Sequence, residues 1–321
     1  MSWSLLFFLF TCFAFSHAKL TLNYYAKTCP KFDDIVREIS LKKQMEHTVT
    51  AAATLRVFFH DCAVDGCDAS VLIKSNSFNK TELEHDMNHS LAGDAFDLIS
   101  RIKTALELAC PGVVSCSDIL AAATRNLIVI AGGPHYKVPL GRKDSRVSNL
   151  PNVEGQLARV NASVDLMIKK FQPMGIDVKE MVVLTGGGHT IGFAHCKEFA
   201  NRIFPNADPT MNPILVERLR KMCANYTTNK DMAAFLDVIS PGNFDNVIFK
   251  NIMKGISVLG SDQILFSDPR TKPFVELYAK DPVAFANDFG KAMEKVSVYQ
   301  VKSGAQGEVR KRCDAINDAH H

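Results

Sequence analysis

The chain has 321 residues, and at roughly 150 residues per domain that length predicts about two packed lobes. Hydrophobic residues make up 47% of the chain and charged residues 22%, so the composition excludes a disordered or collagen-like protein. The 37 basic and 34 acidic residues leave a net charge of +3, which gives no broad basic field, so we expect no nucleic-acid partner.

An apolar run lies at the start of the chain. Residues 5–15 read LLFFLFTCFAF, which is too short to span a bilayer but is typical of the hydrophobic part of a secretory signal peptide. Ser16 and Ala18 fit a small-residue cleavage site, so the mature chain would begin at Lys19. The alternatives are an uncleaved membrane anchor or a buried strand. No later apolar stretch reaches the roughly 18 residues of a membrane span, so we expect residues 1–18 to direct export and no membrane attachment after their cleavage.

Helical periodicity dominates the remaining chain. Apolar residues such as Phe32, Ile35 and Ile39 recur at a spacing of about 3.6 residues, which indicates one buried helix face. The helices predicted from this periodicity are residues 32–46, 50–61, 94–109, 116–131, 155–172, 177–185, 212–223, 244–254, 271–279 and 282–295. A weak strand signal covers residues 136–139, and loops rich in Pro, Asn and Asp cover 147–154, 204–213 and 237–246. The pattern predicts a mostly helical fold.

Eight cysteines remain after residues 1–18 and Cys12 are removed. An even number in an exported chain predicts four disulfides, although on the order of a hundred pairings are open. Cys62 and Cys67 are close enough in sequence to close one tight loop. Zinc binding is the alternative, but the chain has neither a C-x-x-C pair nor an H-E-x-x-H motif. Four glycosylation sequons agree with export, at Asn79, Asn88, Asn161 and Asn225.

The segment LRVFFHDCAVDGCDAS, residues 55–70, combines basic and acidic groups. Arg56 and His60 are four residues apart and therefore share one face of a helix. Arginine is a permanent cation and histidine exchanges a proton near neutral pH, so the pair could bind a polarised oxygen species and move its proton. Taken alone, such a pair is more often a surface arginine and a core histidine.

The end of the same segment is rich in hard oxygen ligands. Asp61, Asp65, Asp68 and Ser70 surround Gly66, and such oxygens together with main-chain carbonyls suit Ca²⁺. The spacing is not that of an EF-hand, which needs a longer loop that ends in Glu. From the residues alone, a calcium site and a solvated acidic turn are about equally supported.

A glycine triplet precedes a second histidine in LTGGGHTIG, residues 184–192. The glycines would let a flat group approach the backbone closely before His189. They do not form a phosphate loop, because no Gly-Lys-Ser/Thr follows. An isolated histidine in this setting is more often a core or capping residue.

Two further acidic stretches follow in the C-terminal half. Residues 237–245 read DVISPGNFD and offer Asp237, Ser240 and Asp245 as oxygen donors. Asp262 lies in a Ser-Asp-Gln sequence, and a carboxylate of this kind could accept the Nδ1–H of a metal-bound histidine. Sequence separation alone does not show that it does.

Together these motifs resemble the secreted plant haem peroxidases of class III, the horseradish-peroxidase-like family. The resemblance covers essentially the whole mature chain. Its motifs are YYAKTCP (24–30), LRVFFHDCAVDGCDAS (55–70), TE (81–82), SCSDIL (115–120), PLGRKDS (139–145), LP (150–151), GGHTIG (187–192), FDN (244–246), SDQ (261–263) and QGEVRKRC (306–313). R-x-x-F-H-D-C followed by G-G-H-T-I-G at this separation is a very specific combination.

The resemblance implies the all-α haem-dependent peroxidase fold, with minimal β-structure. One domain would cover residues 19–321. Its distal lobe would span roughly 19–160 and its proximal lobe roughly 161–300, with haem between them.

The resemblance also implies roles at the haem. His189 would be the axial ligand of the iron, and Asp262 its hydrogen-bond partner. His60 would act as the catalytic base, which takes a proton from H₂O₂ and returns it to the leaving oxygen. Arg56 would stabilise the charge that develops as the O–O bond breaks.

Further residues would support this catalytic set. Asn88 would accept the Nδ1–H of His60 and would therefore be buried, so we expect glycans only at the other sequons, Asn79, Asn161 and Asn225. Glu82 would support the distal hydrogen-bond network, and Pro151 would line the substrate-binding edge of the haem.

Two structural Ca²⁺ ions and one disulfide pattern are implied in the same way. The distal ion would bind Asp61, Val64, Gly66, Asp68 and Ser70. The proximal ion would bind Thr190, Asp237, Ser240, Asn243 and Asp245. The disulfides would be Cys29–Cys110, Cys62–Cys67, Cys116–Cys313 and Cys196–Cys223, and Asp118 and Arg142 would form a buried ion pair.

The chain departs from the family pattern near His189. Three glycines precede this histidine, and the distance from Glu180 to His189 is one residue longer than in horseradish peroxidase. We therefore expect a bulge in the helix that carries His189. Glu198 takes a position where some members carry an aromatic residue near the haem edge.

The expected protein is an enzyme, a haem peroxidase with one haem b and two Ca²⁺ ions. It would reduce H₂O₂ and oxidise phenolic donors by one-electron steps, in lignin or suberin formation, wall cross-linking or the oxidative-stress response. We expect a monomer in the extracellular space or cell wall rather than the vacuole, because the tail after Cys313 is short. One alternative is a non-catalytic, Ca²⁺-stabilised wall protein on the same scaffold. Another is a secreted metallohydrolase, but the chain has no tight metal-ligand motif that would support it.

Overall fold

The computed structural model describes residues 20–317, and the signal peptide predicted at 1–18 lies outside them. Within this range helices form almost all of the regular secondary structure. The helices are α1 (Phe32–Glu46), α2 (Thr50–Cys62), α3 (Gly93–Ala109), α4 (Cys116–Ile130), α5 (Leu150–Val153), α6 (Val164–Phe171), α7 (Val178–His189), α8 (Cys196–Phe199), α9 (Pro213–Met222), α10 (Val247–Met253), α11 (Gly260–Ser267), α12 (Lys272–Lys280) and α13 (Pro282–Ser297). Two three-residue strands, β1 (Phe193–His195) and β2 (Ala233–Phe235), pair antiparallel with Phe193 opposite Phe235.

The mostly helical prediction is confirmed, and its first four helices match α1–α4 to within one residue at each end. The helix predicted over residues 155–172 was wrong in its first half. The side chain of Ser163 accepts a hydrogen bond from the Leu166 amide and starts α6 there, and Gly155 adopts a φ of 73° that a helix excludes. The strand predicted over 136–139 was also wrong, because only Leu140 forms an isolated bridge, to Thr21.

Three clusters of buried apolar residues organise the described residues, and the smallest is formed by Val64, Val153 and Leu157. The largest one lies among α1–α4, α7, α10, α12 and α13, and its fully buried side chains include Phe58, Leu98 and Phe289. A smaller core lies under the β1–β2 pair, where Phe199, Leu219 and other residues of α8 and α9 pack together. The apolar stripes that predicted the helices are therefore the faces that these cores bury.

Four disulfides connect distant parts of the chain, and they are the pairs that the resemblance implied. Cys29–Cys110 joins the segment before α1 to the end of α3, and Cys116–Cys313 joins α4 to the C-terminal segment. Cys62–Cys67 closes the loop after α2, and Cys196–Cys223 joins α8 to the end of α9. Each crosslink lowers the conformational entropy of the unfolded chain, most for the pairs that close the longest loops.

A buried ion pair fixes the start of α4. Asp118 and Arg142 are both fully buried, and Arg142 Nη1 donates to Asp118 Oδ1 at 2.8 Å. The Tyr25 hydroxyl and the Gly141 amide donate to the other carboxylate oxygen, each at 2.7 Å. Both oxygens of the Asp118 carboxylate therefore accept hydrogen bonds, and neither buried charge is left uncompensated. The ion pair joins the N-terminal segment, α4 and the loop at 139–142.

Across residues 20–317, none of the helices is both long enough and apolar enough to cross a membrane.

Candidate active site

One face of α2 carries the first pair of functional side chains. Most residues of this helix are buried, but Ala52, Arg56 and Phe59 are only partly so, and their spacing places them on one side. His60 lies beside that face and is 8% exposed. The helix therefore presents an arginine, a histidine and an aromatic ring to an accessible space.

Asn88 determines the protonation pattern of His60. The Asn88 Nδ2 group donates to the Glu82 carbonyl oxygen at 2.8 Å, so its Oδ1 is the atom that lies 2.7 Å from His60 Nδ1. An amide oxygen only accepts, so Nδ1 carries the proton and Nε2 keeps a free lone pair. Burial, and then the positive charge of Arg56, lower the pKa of His60 to about 3. His60 is therefore a neutral base near neutral pH.

Arg56 is held by main-chain oxygens of the segment that carries Asn88. Its Nη1 donates to the Ser90 carbonyl at 2.8 Å, and its Nη2 donates to the Met87 carbonyl at 3.1 Å. Burial lowers the pKa of Arg56, and the negative charge of Glu198 partly offsets this effect. Nη2 also donates to Ser90 Oγ at 3.1 Å, so three of the five donor groups of this guanidinium are fixed, which orients the remaining ones.

His189 is the last residue of α7, and its ring is oriented by α11. Its Nδ1 lies 2.7 Å from Asp262 Oδ1, and the Asp262 side chain is only 2% exposed. Burial lowers the pKa of His189, but the charge and hydrogen bond of Asp262 outweigh burial, and the net shift is upward. Because the carboxylate holds the Nδ1–H, Nε2 is available to a metal ion. The segment after His189 approaches α2, because a Cβ atom on Gly192 would lie 2.9 Å from Ala52 on the accessible face of that helix.

The helix that carries His189 is regular, so the predicted bulge was wrong. A capping box starts α7, because the Asp177 carboxylate accepts the Glu180 amide at 2.7 Å and the Glu180 carboxylate accepts the Asp177 amide at 2.9 Å. From Val178 to His189 the helix is an unbroken α-helix.

The three glycines before His189 serve two purposes. A Cβ atom on Gly186 would lie 2.2 Å from Phe249, and one on Gly187 would lie 2.3 Å from Phe289. A Cβ atom on Gly188 would have no heavy atom within 4 Å. The first two glycines therefore allow close helix packing, and the third leaves open space next to His189. A flat group such as a porphyrin fits that requirement.

A model of the peroxidase family matches residues 36–281 of the chain. Peroxidase 41 of Arabidopsis thaliana is 57% identical over 298 residues, which cover 93% of this chain and 91% of that protein. Peroxidase 6 of the same plant is 53% identical over 305 residues, with 94% and 93% of the two chains covered. Peroxidase 31 is 49% identical over 312 residues, with 97% and 98% covered.

The chain belongs to the peroxidase family, in its plant class III branch. Membership implies haem, H₂O₂ and reducing substrates. The peroxidase activity predicted from the sequence is confirmed, and the non-catalytic alternative is not supported.

The distal acidic loop of this peroxidase, residues 61–70, has oxygen atoms without partners. Among the described residues, the Ser70 hydroxyl and Glu82 Oε2 are buried and have no hydrogen-bond partner. No described hydrogen bond uses the carbonyl oxygens of Val64 or Gly66. Burial, and then the charge of Asp68, raise the pKa of Asp61 to about 8. The unpartnered hydroxyl, carboxyl and carbonyl oxygens of this loop and of Glu82 fit a hard cation such as Ca²⁺.

Glu82 connects the distal acidic loop to the catalytic histidine. Its carboxyl group is buried, and burial, followed by the charge of Asp61, raises its pKa to about 8. Its carbonyl oxygen accepts the hydrogen bond that orients Asn88. Glu82 is therefore close to both groups, as its predicted supporting role requires.

The second acidic segment folds back on the residue that follows His189. Thr190 Oγ1 donates to the Asp245 carbonyl at 2.7 Å, and Ser240 Oγ lies 3.1 Å from Asp245 Oδ1 and 3.3 Å from Asp237 Oδ2. Asn243 lies on the exposed side of this loop. Within residues 20–317, no three His, Cys, Asp or Glu side chains form a metal-binding cluster. Each acidic site thus offers two carboxylates together with hydroxyl and carbonyl oxygens.

Pro151 lies in α5, which packs against the turn at residues 82–84, and it lines a surface pocket of about 460 Å³. The pocket is also lined by Asn79, Lys80, Asn149, Leu150 and Asn152. The sequon residues differ in exposure, because Asn88 is 2% exposed whereas Asn79, Asn161 and Asn225 are exposed. Sequence reasoning missed the carbonyls of Met87 and Ser90 that hold Arg56, since a backbone oxygen has no residue-type signal.

The glycine triplet gives a matched test of packing. We expect Gly187→Ala to lower the free energy of unfolding by about 1–3 kcal/mol, because the new methyl group overlaps the Phe289 ring. Gly188→Ala meets open space and replaces a poor helix former, so the haem-free protein should keep its stability or gain up to about 1 kcal/mol. Chemical denaturation of both haem-free variants measures the difference. Equal losses at the two positions would contradict this account of the packing.

Proposed function

We propose that this peroxidase holds one haem b between α2 and α7, and that it oxidises phenolic donors by one-electron steps. The observation that carries this proposal is that both histidines use their Nδ1–H in a hydrogen bond to a buried side chain. His60 gives its Nδ1–H to Asn88, and His189 gives its Nδ1–H to Asp262. Each ring is thereby left with a free Nε2, one for a proton and one for a metal ion.

His189 would hold the haem iron through Nε2, and Asp262 would make the imidazole a stronger electron donor. When bound, the haem supplies the electrons that reduce peroxide and then regains them from the donors. His60 takes a proton from H₂O₂ and delivers it to the leaving oxygen, and its neutral state near neutral pH suits that role. Arg56 stabilises the negative charge that develops as the O–O bond breaks.

Asn88 and Glu82 would keep the base in this state. The hydrogen bond from Asn88 Nδ2 to the Glu82 carbonyl would keep the amide oxygen facing His60 Nδ1. Pro151, at the edge of its surface pocket, would contact the phenolic donor. Phenols suit one-electron oxidation because the resulting radical is delocalised over the ring.

Two Ca²⁺ ions would stabilise the ends of the helices that carry the histidines. Asp61 directly follows His60, and Thr190 directly follows His189. The proposed distal ligands are Asp61, Val64, Gly66, Asp68 and Ser70. The proposed proximal ligands are Thr190, Asp237, Ser240, Asn243 and Asp245. Support comes from the unsatisfied oxygens of the distal loop and from the Thr190–Asp245 contact.

We also propose that residues 1–18 are removed and that the mature protein is secreted to the extracellular space or cell wall. The mature protein would be a monomer with a distal lobe near residues 19–160 and a proximal lobe near 161–300. The apolar run at 5–15, four disulfides and the exposure of three sequon residues support secretion. Glycans would occupy Asn79, Asn161 and Asn225. Asn88 would stay unmodified because both ends of its amide form buried hydrogen bonds.

Removal of the base should separate haem binding from catalysis. We expect His60→Leu to slow the reaction with H₂O₂ by about 10³–10⁴-fold while haem stays bound, because proton transfer is lost and His189 is untouched. Stopped-flow absorbance measures the rate, and the Soret band reports bound haem. His89→Leu is the matched control, since His89 is exposed nearby on the chain. A near wild-type rate in His60→Leu would refute the role of His60.

The pH profile of the peroxide reaction should follow the lowered pKa of His60. The base is neutral above about pH 3, so the rate constant should stay level from pH 7 to about 4 and fall only as the pH approaches 3. The free energy of unfolding should depend on pH over a wider range than the rate constant does. Between pH 6.5 and about 3 the unfolded chain binds a proton that folded His60 excludes, so the His60 contribution to stability decreases as the pH falls. A rate that halves near pH 6 would contradict the buried, neutral base.

Calcium removal should destabilise the protein. With EGTA we expect Tm to fall by roughly 5–10 °C and the haem spectrum to change, because the two loops lose their cations. Asp61→Asn should bind one fewer Ca²⁺, whereas Asp65→Asn, which alters the same loop outside the proposed ligand set, should keep two. Calorimetric titration with CaCl₂ counts the ions. An unchanged melting curve in EGTA would count against both sites.

A further inference from the structure

The segment after α13 packs directly against the distal acidic loop. The Cys67 amide donates to the Tyr299 carbonyl at 3.1 Å, and a Cβ atom on Gly66 would lie 2.5 Å from the Gln300 carbonyl oxygen. Lys302 is fixed two residues later, because its carbonyl accepts the Lys143 amide at 2.9 Å in an isolated antiparallel bridge. The backbone of Lys302 is thus held at the edge of the distal acidic loop.

The side chain of Lys302 completes this contact. Its ammonium forms an ion pair with Asp68 Oδ2, and the other carboxylate oxygen of Asp68 accepts the Ser70 amide at 3.0 Å. Asp68 is 2% exposed at its side chain, whereas Lys302 is 29% exposed. Over residues 20–317, Lys302 Nζ is the one basic nitrogen within 4.0 Å of a carboxylate of this loop.

We propose that Lys302 is a built-in counter-cation of the distal acidic loop and that it sets the affinity of this loop for Ca²⁺. The proposal rests on the distal calcium site proposed above. A divalent ion that binds Asp68 must either displace the ammonium or bind beside it, and both alternatives weaken binding. Asp61 has no basic nitrogen of residues 20–317 within 4.0 Å: Arg310 donates to the Ala69 carbonyl of the same loop and acts on Asp61 only from a greater distance.

The ion pair has an opposite effect on the calcium-free protein. Without Ca²⁺, Lys302 neutralises a buried carboxylate that would otherwise be an uncompensated charge. The loop therefore keeps its fold when the ion leaves, and calcium exchange becomes reversible. Lys302 lowers calcium affinity and stabilises the empty loop at the same time.

The test compares four haem-loaded mature proteins. They are the wild type, Lys302→Met, Lys302→Arg and Lys143→Met. Lys143 is the bridge partner of Lys302, so its replacement removes the same charge at nearly the same place without touching Asp68. Tm is measured against free Ca²⁺ in EGTA-buffered solutions, with Mg²⁺ as the ion control. The proximal site is the same in all four, so differences between them report the distal loop.

We expect Lys302→Met to reach its calcium-stabilised Tm at roughly tenfold lower free Ca²⁺ than the wild type. In EGTA alone the same variant should melt below the wild type. Lys302→Arg and Lys143→Met should both behave like the wild type, because each keeps a cation on Asp68. A lower calcium midpoint together with a lower Tm in EGTA distinguishes this role from simple packing, which would lower the Tm without shifting the midpoint.

Two outcomes overturn the inference in distinguishable ways. A calcium midpoint that is the same in Lys302→Met and the wild type, or a Tm loss of equal size at every calcium concentration, leaves the distal site intact and removes the role of Lys302. A Tm that does not depend on calcium in any of the four proteins removes the proposed calcium sites themselves, and the inference with them.

Discussion

The site depends on two hydrogen bonds that leave each histidine only one free nitrogen. Asn88 and Asp262 take the Nδ1 protons of His60 and His189, and both acceptors are buried. The acceptors differ in charge, and that difference separates the roles of two chemically identical side chains. Burial and the charge of Arg56 lower the pKa of His60, and the uncharged amide of Asn88 does not outweigh them, so His60 stays neutral. At His189 the Asp262 carboxylate does outweigh burial, and it makes the ring electron-rich and suited to a metal ion.

The surrounding structure serves to hold these acceptors in place. The segment from Glu82 to Ser90 has no long helix, yet it supplies the amide for His60 and two carbonyls for Arg56. It is held through the Glu82 carbonyl and lies close to the distal acidic loop, which the Cys62–Cys67 disulfide closes. The catalytic pair on α2 is therefore oriented by irregular chain, which needs covalent and ionic support to stay ordered.

The sequence predicts the regular parts of the molecule well, because each helix buries one periodic apolar face. Helices α1–α4 follow this rule, and the residues of the two histidine motifs follow from the family resemblance. The prediction was wrong where a single local contact determines the start of a helix or where an element is very short. The Ser163 cap shortens α6, and the two short strands carry too few residues to give a periodic signal. The bulge expected before His189 does not occur, because glycines tolerate a regular helix in close contact with Phe249 and Phe289. The carbonyl contacts of Arg56 could not be predicted, since every residue type has the same backbone oxygen.

The contact between the glycines of α7 and the aromatic rings also limits how this protein can change over evolution. Phe249 and Phe289 belong to a cluster that includes Phe244 and Phe285, with ring centroids 4.8–6.1 Å apart. A side chain cannot be added at Gly186 or Gly187 unless the facing ring becomes smaller in the same lineage. The two sides of the contact must therefore covary, and a drift of either one alone would tilt the helix that ends in His189.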